Sequence, residues 1–436
     1  GDGKVGAKLV GDTRISGVAF TGSTDTARKI AKALADRDGP IVPLIAETGG
    51  QNAMIVDSSA LAEQVVADVL GSAFDSAGQR CSALRLLCLQ ADVAPRALAM
   101  LQGAMQTWRI GPPQDLRHDM GPLIDAAAAA RVRAHIEQMR QRGHVVYDCP
   151  QTLHDIPAGE ADRYVLPTII EVQGPHQVPQ EVFGPVLHVM RFQRDELAPL
   201  LADIGRSGWG LTMGAYSRID DTLDRIQAAA RVGNLYINRS MIGAVVGVQP
   251  FGGERLSGTG PKAGGPLYLH RLLRAQPDVA VSDDALRKLL QAHRPPPTHL
   301  LPLRELSAWL EHAPVRHGWA LREHARISLQ QAIVGLHATL PGPTGERNSY
   351  SLKPRGPVVC MARTHDEQVH QLISVLASDG LAWWPDRDAL RPLWQALPAS
   401  VQARIQFVDD CTLSQAELGV MMVHGDSAEQ SRWGEW

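Results

Sequence analysis

Solid apolar runs and spaced apolar stripes take turns along this chain, and their order predicts an α/β fold. Residues 15–20 read as a strand and Thr21-Gly22-Ser23-Thr24 as a turn; Ala27, Ile30, Ala31 and Leu34 then form the stripe of a helix that stops before Asp38-Gly39-Pro40. Residues 41–46 are the next apolar run, short enough for a buried strand, and they deliver Glu47-Thr48-Gly49-Gly50 to its carboxyl end. Helical patterns follow at 61–74, 94–106, 126–142, 197–204 and 220–230, with strands at 84–89, 163–171 and 235–237. Glycine-rich loops dominate 243–265. Past Leu273 a charged segment leads to Arg294-Pro295-Pro296-Pro297, a stiff linker in character. Helices at 303–311 and 320–337, a Pro/Gly loop at 340–345 and strands at 358–360 and 381–384 then mark a second α/β unit. Residues 1–6 read as a polar loop entered midway through a fold.

The 436 residues, 44% of them apolar, can bury a large core. Lys and Arg total 43 against 46 Asp and Glu, and the net charge of -3 offers no basic field for nucleic acid and no polybasic anchor for a membrane. Small-molecule partners are favoured. No apolar run reaches the ~18 residues of a membrane span and the first residues lack a signal-peptide pattern, so the cytoplasm is the expected compartment. The five cysteines (81, 88, 149, 360 and 411) have neither C-x-x-C nor metal-ligand spacing, so reduced thiols and no metal are expected.

Two positions carry candidate chemistry. Cys81 lies in a polar loop, Gly78-Gln79-Arg80-Cys81-Ser82, where a guanidinium such as that of neighbouring Arg80 would favour the nucleophilic thiolate. Taken alone, a cysteine is more often a core residue. Glu47, at the end of a buried strand, is expected to have a raised pKa and to suit general-base work near neutrality, although a glutamate before Gly-Gly is also an ordinary turn residue. The turn at Gly22 and Ser23 opens a helix, and so either meets a phosphate or simply caps.

Five short motifs then occur in order: Phe20-Thr21-Gly22-Ser23-Thr24, Glu47-Thr48-Gly49-Gly50, Gly78-Gln79-Arg80-Cys81-Ser82, Glu181-Val182-Phe183-Gly184-Pro185-Val186 and Pro250-Phe251-Gly252-Gly253. With them the chain resembles the aldehyde dehydrogenases. The resemblance implies Cys81 as nucleophile, Glu47 as general base, Gly22 and Ser23 at the pyrophosphate of NAD, Glu181 on the nicotinamide ribose and Phe183 beside it. The segment 238–247 and Gly258-Thr259-Gly260-Pro261-Lys262 narrow this to a resemblance to glutamate semialdehyde (pyrroline-5-carboxylate) dehydrogenases. That implies backbone N–H groups of Gly243 and Ala244 on the substrate's α-carboxylate, with Ser82 assisting and Phe251 packed on the aliphatic chain. A short amino-acid aldehyde needs such an anion hole at one end and an apolar sleeve along its methylenes.

The second unit, through 340–348, Val375-Leu376-Ala377 and Trp384-Pro385, is similar to the C-terminal region of long, bifunctional proline utilization A proteins. Cys360 and Cys411 lie in no catalytic motif, so this unit is expected to be a degenerate, Rossmann-like, non-catalytic cover or assembly domain. The expected fold is therefore aldehyde dehydrogenase-like α/β: residues 1–46 a remnant of a dinucleotide-binding domain, 47–273 the catalytic domain, 274–330 linker and helices, and 331–436 the second α/β domain. The family's first nucleotide-binding strands, with an oxyanion asparagine and a Lys-Pro-x-Glu segment, and a FAD-dependent proline dehydrogenase half, are expected to belong to a longer parent. The expected reaction is NAD-dependent oxidation of L-glutamate γ-semialdehyde to L-glutamate through a Cys81 thiohemiacetal and thioester, in an intact protein acting as a homo-oligomer. The alternatives are an inactive truncated chain with a structural or assembly role, and oxidation of a different aldehyde.

Overall fold

Residues 3–273, 298–313, 315–409 and 419–425 are described in the computed structural model. They fall into two compact units, Gly1–Pro277 and Asp278–Trp436. The linker expected at 294–297 lies outside the described residues. No helix among the described residues is long and apolar enough to cross a membrane.

The first unit opens with α1 (Gly3–Gly11), where a polar loop was expected. Its apolar Val5 and Leu9 are exposed and too few to register as a stripe, and the helix packs on α2 (Thr24–Asp36). Two parallel strands, β1 (Val18–Thr21) and β2 (Leu44–Glu47), stand on either side of α2 in sequence, with Thr21 opposite Glu47. Ser23 caps α2, its Oγ accepting from the Thr26 N–H at 3.2 Å.

A seven-stranded sheet is built from β3 (Ala53–Val56), β4 (Leu86–Gln90), β5 (Val146–Asp148), β6 (Thr168–Glu171), β7 (Val186–Phe192), β9 (Thr212–Tyr216) and β10 (Asn234–Ile237), in the order β10-β9-β3-β4-β7-β6-β5. Its pairings are parallel except β5 with β6. The short β8 (Trp209–Gly210) pairs antiparallel with β11 (Glu254–Arg255).

The central strands β3, β4 and β9 are buried along their whole length, so no alternation of apolar and polar residues marks them. Met54, Val56, Leu87 and Leu89 point to one face and meet α3 (Ala62–Phe74) and α4 (Ala94–Met105). Ala53, Ile55, Leu86 and Cys88 point to the other and meet α5 (Ala126–Gln141), α6 (Leu197–Arg206) and α7 (Asp220–Ala229). The strand read at 163–171 shortens to β6, because a 3-10 turn at Ala161–Arg163 and Pro167 precede it.

The second unit holds a four-stranded parallel sheet, β16-β15-β14-β17, made of β14 (Pro357–Met361), β15 (Leu381–Pro385), β16 (Ile405–Val408) and β17 (Val420–Val423). The Pro/Gly loop at 341–347 turns a hairpin between β12 (His337–Leu340) and β13 (Asn348–Ser351). Helices α8 (Leu301–Trp309), α9 (Gly318–Gln331) and α10 (His365–Ala377) bury Leu303, Leu306, Leu321, Leu372 and Leu376 with Trp384 in one core. The helix read through His337 stops at Gln331, where Ala332 turns extended, and His337 begins β12 instead.

Candidate active site

Parallel pairing sets the carboxyl ends of β1 and β2 side by side, the position where open α/β sheets take ligands. The Gly22 N–H donates to the Glu47 carbonyl at 3.1 Å, so the Gly22–Ser23 turn and Glu47 are neighbours. Gly22 has no room for a Cβ because the Phe20 ring fills that place. Residues 257–259 line the other side of β2: Thr48 N–H donates to Ser257 O at 2.9 Å and Thr259 N–H to Ala46 O at 2.9 Å.

Between these edges the Glu47 carboxylate accepts the Gly253 N–H on Oε2 at 2.7 Å, while Oε1 is buried without a hydrogen-bond partner. Burial pushes its pKa up to about 7, with the Gly253 and Gly260 N–H groups and Lys262 opposing. A raised pKa was expected at this strand end, and burial is its cause. Lys262 is itself driven down by burial, and its Nζ donates to the Gly233 carbonyl.

Cys81 sits in a tight turn closed by Ala83 N–H to Arg80 O at 3.0 Å. Three residues ahead of it, Ser76 (φ 56), Ala77 (φ 54) and Gly78 (φ 67), hold the left-handed conformation, and a Cβ on Gly78 would strike the Gly184 carbonyl. Such strain persists only where surroundings impose it. Here they do so through the turn's carbonyls. Asn52, buried, donates from Nδ2 to Cys81 O at 2.7 Å and to Ala83 O at 2.8 Å, while its Oδ1 accepts from Thr212 N–H at 3.1 Å. Arg85 donates to Arg80 O at 3.1 Å. With the carbonyls held, the Cys81 and Ser82 N–H groups are the ones left to face the sulfur.

Burial, and after it the Glu181 charge, raise the Cys81 thiol above its ordinary range; the two N–H groups and Arg85 pull it the other way. This corrects the electrostatic expectation for the loop. Arg80 turns its Nε to Ser76 Oγ at 3.2 Å, and the guanidinium acting on Cys81 is that of Arg85.

Arg85 is 0% exposed and pairs with Glu181 at 3.3 Å, with the Phe183 ring centroid 5.4 Å from its guanidinium carbon. It also donates to Gly184 O at 3.2 Å. Burial lowers its pKa and raises that of Glu181, each opposed by the other's charge. The Glu181 carboxylate rests against Gly49, where any Cβ would overlap it, and takes the Gly50 N–H. Gln51 fastens the strand end to the loop carrying Glu181, donating to Val178 O at 2.6 Å and Gln180 O at 3.2 Å.

The structure therefore gathers Cys81, Glu181 and Phe183 around Arg85, and Glu47 with the Gly22 turn and Gly253. Ser82 is buried, its carbonyl accepting from Thr212 Oγ1 at 3.3 Å. Gly243 (φ 78) and Ala244 lie on a loop whose Gly243 is exposed, and half-buried Phe251 forms an antiparallel bridge with Ala263. Sequence reading overlooked Asn52, Gln51 and Arg85. Arg85 had a visible signal, a charge inside the apolar run 84–89; Asn52 and Gln51 had none, since their partners are loops 29 and 127 residues away.

The model of the aldehyde dehydrogenase family matches residues 1–276. The chain is 49% identical to the bifunctional protein PutA of Salmonella typhimurium over 432 residues, covering 97% of this chain and 32% of the relative. It spans about a third of the length of the PutA relatives it matches. Among solved structures, a bifunctional proline utilization A (PutA) protein is 54% identical, covering 62% of this chain and 27% of that one at a TM-score of 0.58. The 1-pyrroline-5-carboxylate dehydrogenase from Thermus with bound NAD is 33% identical, covering 62% of this chain and 52% of that one at a TM-score of 0.55.

Proposed function

The chain belongs to the aldehyde dehydrogenase family, and on that premise we propose that it carries the catalytic centre for NAD-dependent oxidation of L-glutamate γ-semialdehyde to L-glutamate. Two observations carry this reading: a cysteine turn stripped of free carbonyls, and a half-buried glutamate at the end of β2 whose pKa is about 7 and whose Oε1 lacks a partner. Relatives named for pyrroline-5-carboxylate dehydrogenase and PutA support the substrate class.

The residues fit NAD. The Glu181 carboxylate lies over Gly49, with half-exposed Phe183 beside it, and the capped N-terminus of α2 stands at the carboxyl end of β1. Glu181 and Phe183 would hold the nicotinamide ribose side, and Gly22 and Ser23 the pyrophosphate. When bound, NAD supplies the hydride acceptor.

The chain's own residues do the rest. Cys81 first loses its thiol proton to solvent, against the upward push of burial; Sγ then bonds to the aldehyde carbon as the C=O π bond opens, and the Cys81 and Ser82 N–H groups are the turn's donors for the oxygen charge that develops. Once the carbon is at the thioester level, Glu47 removes a proton from water through its unpartnered Oε1, the hydroxyl adds, and Cys81 leaves with release of glutamate. The Gly243–Ala244 backbone N–H groups and Ser82 anchor the α-carboxylate, and Phe251 lies along the methylenes.

NADH formation from L-glutamate γ-semialdehyde, compared with a plain aliphatic aldehyde of similar length, tests the assignment. A preference above about tenfold, ~1.4 kcal/mol, is expected from a carboxylate anchor. A smaller preference would assign the centre to another aldehyde, and wild-type rates from Cys81→Ala would remove the nucleophile.

A further inference from the structure

Away from Cys81, the loop between α4 and α5 and the loop after β5 bring together Asp115, His118 and Asp155. Ile110 bridges to both Met120 and Leu153, and the His154 N–H donates to the Ile110 carbonyl at 2.9 Å, so the backbone seats the two loops side by side. The His118 ring lies on Gly111, where a Cβ would overlap it, and the side chain is 1% exposed. His118 Nδ1 is 2.9 Å from the Pro112 carbonyl, which only accepts, so Nδ1 carries a proton. In the neutral ring Nε2 is then a lone pair, buried and without a hydrogen-bond partner. It faces Asp155 Oδ2 at 4.0 Å, beyond hydrogen-bond range. One ligand atom from each of the three residues lies within 4.8 Å of the others.

An imidazole fixed through its far N–H by a backbone carbonyl, with the other nitrogen unpaired, is how metal-bound histidines are oriented. We propose that Asp115, His118 and Asp155 bind one first-row divalent cation of the zinc type, with water in its remaining positions. One nitrogen and two carboxylate oxygens suit Zn²⁺; Mg²⁺ and Ca²⁺ take oxygen ligands. An ion about 2.0–2.2 Å from each ligand needs them closer together than the 4.0 Å between Nε2 and Asp155 Oδ2, a movement that the exposed Asp155 side chain can make. It ties residues 110–120 to 153–155, a structural clasp within the first unit. Asp115 and His118 share one loop and Asp155 comes from another, so local spacing in the sequence does not show the set of three.

The competitor is Arg117, which is 65% exposed and donates from Nε to both Asp115 oxygens at 3.0 and 2.9 Å, and whose Nη2 is 4.0 Å from Asp155. Its positive charge opposes a cation at the same carboxylates, so its removal tightens the site.

Calorimetric titration of the metal-stripped full chain with Zn²⁺, and visible absorption on adding Co²⁺, test this. The expected result is a site in the wild type that His118→Gln and Asp155→Asn each weaken at least tenfold and Arg117→Gln strengthens. The chain has 16 histidines, so the difference between wild type and variant is the readout, not the total bound. Asp155 is 69% exposed, so Asp155→Asn decides the matter if His118→Gln does not fold. Isotherms unchanged in Asp155→Asn would overturn the site and leave a water between His118 and Asp155. Weaker binding in Arg117→Gln would also overturn it, since Arg117 would then be the carboxylates' working partner.

Discussion

At the residue scale, Glu47 shows how one environment sets both chemistry and a stability cost. Its pKa of about 7 lies above its ordinary 4.5 because burial outweighs the N–H groups and Lys262. As a base it works only when ionised, so thioester hydrolysis should rise with pH through about 7 and level off above. Single-turnover NADH bursts should persist in Glu47→Gln while steady-state turnover falls at least a hundredfold. Loss of the burst itself would move Glu47 into acylation. Linkage runs in the opposite direction to activity. A folded pKa above the unfolded value favours the fold most below pH 4.5, and that advantage is lost as pH rises through 7. Glu47→Gln should therefore gain stability over wild type at pH 8 by ~1–2 kcal/mol, the full linkage value being reduced by solvent screening at a group not fully buried. Urea midpoints at pH 5 and pH 8 measure it.

At the element scale, the nucleophile turn depends on strands and loops that it does not belong to. Asn52, at the entry to β3, serves two of its carbonyls and is tied to β9 through Thr212. Asn52→Ala leaves those buried carbonyls unpaired and should cost roughly 2–3 kcal/mol. If the turn relaxes, alkylation of Cys81 by iodoacetamide should change rate severalfold; an unchanged rate in a folded variant would mean that the strained residues 76–78 hold the turn unaided. Gly49 has a comparable dependence, because its missing Cβ is where the Glu181 carboxylate lies. Gly49→Ala should weaken NAD binding, followed by fluorescence titration, about tenfold or more while leaving iodoacetamide reactivity at Cys81 within a factor of a few. Equal NAD affinity would argue against Glu181 as the ribose ligand.

At the scale of the whole molecule, acid stability turns on the centre of the large sheet. His188, on β7, is fully buried: its Nδ1–H donates to Arg85 O at 3.2 Å and its Nε2 accepts a hydrogen bond from the His135 Nε2–H, 2.9 Å away. Burial lowers its pKa from 6.5 to about 3. A depressed folded value means that the neutral ring's contribution is complete above 6.5 and is lost as pH falls toward 3, at up to ~1.4 kcal/mol per pH unit. Chemical denaturation at pH 7 and pH 5 should show this slope, and His188→Asn should flatten it. The two units have separate cores, so Leu372→Ala in α10 should cost ~2–5 kcal/mol in the second unit and leave Cys81 alkylation unchanged.

Much of the α/β character is local and was legible, because helix stripes, caps and short apolar runs depend on nearest neighbours: Ser23 before α2, the run ending at Glu47, and the helix leading to the cysteine loop all stand close to where pattern put them. Buried strands such as β3, β7 and β9 were less visible, since both faces are covered and no alternation marks them. The residue types at the site, an acid after a strand and a thiol in a polar turn, were likewise set by sequence alone. Tertiary structure decided which charges they experience. Arg85 reaches the nucleophile turn and Glu181, 96 residues away, only because β4 pairs with β7; burial raises the Glu47 pKa, and N–H groups of the 253–260 loop hold it back to about 7. Solvation and long-range charge depend on what packs beside a residue, which linear order does not contain.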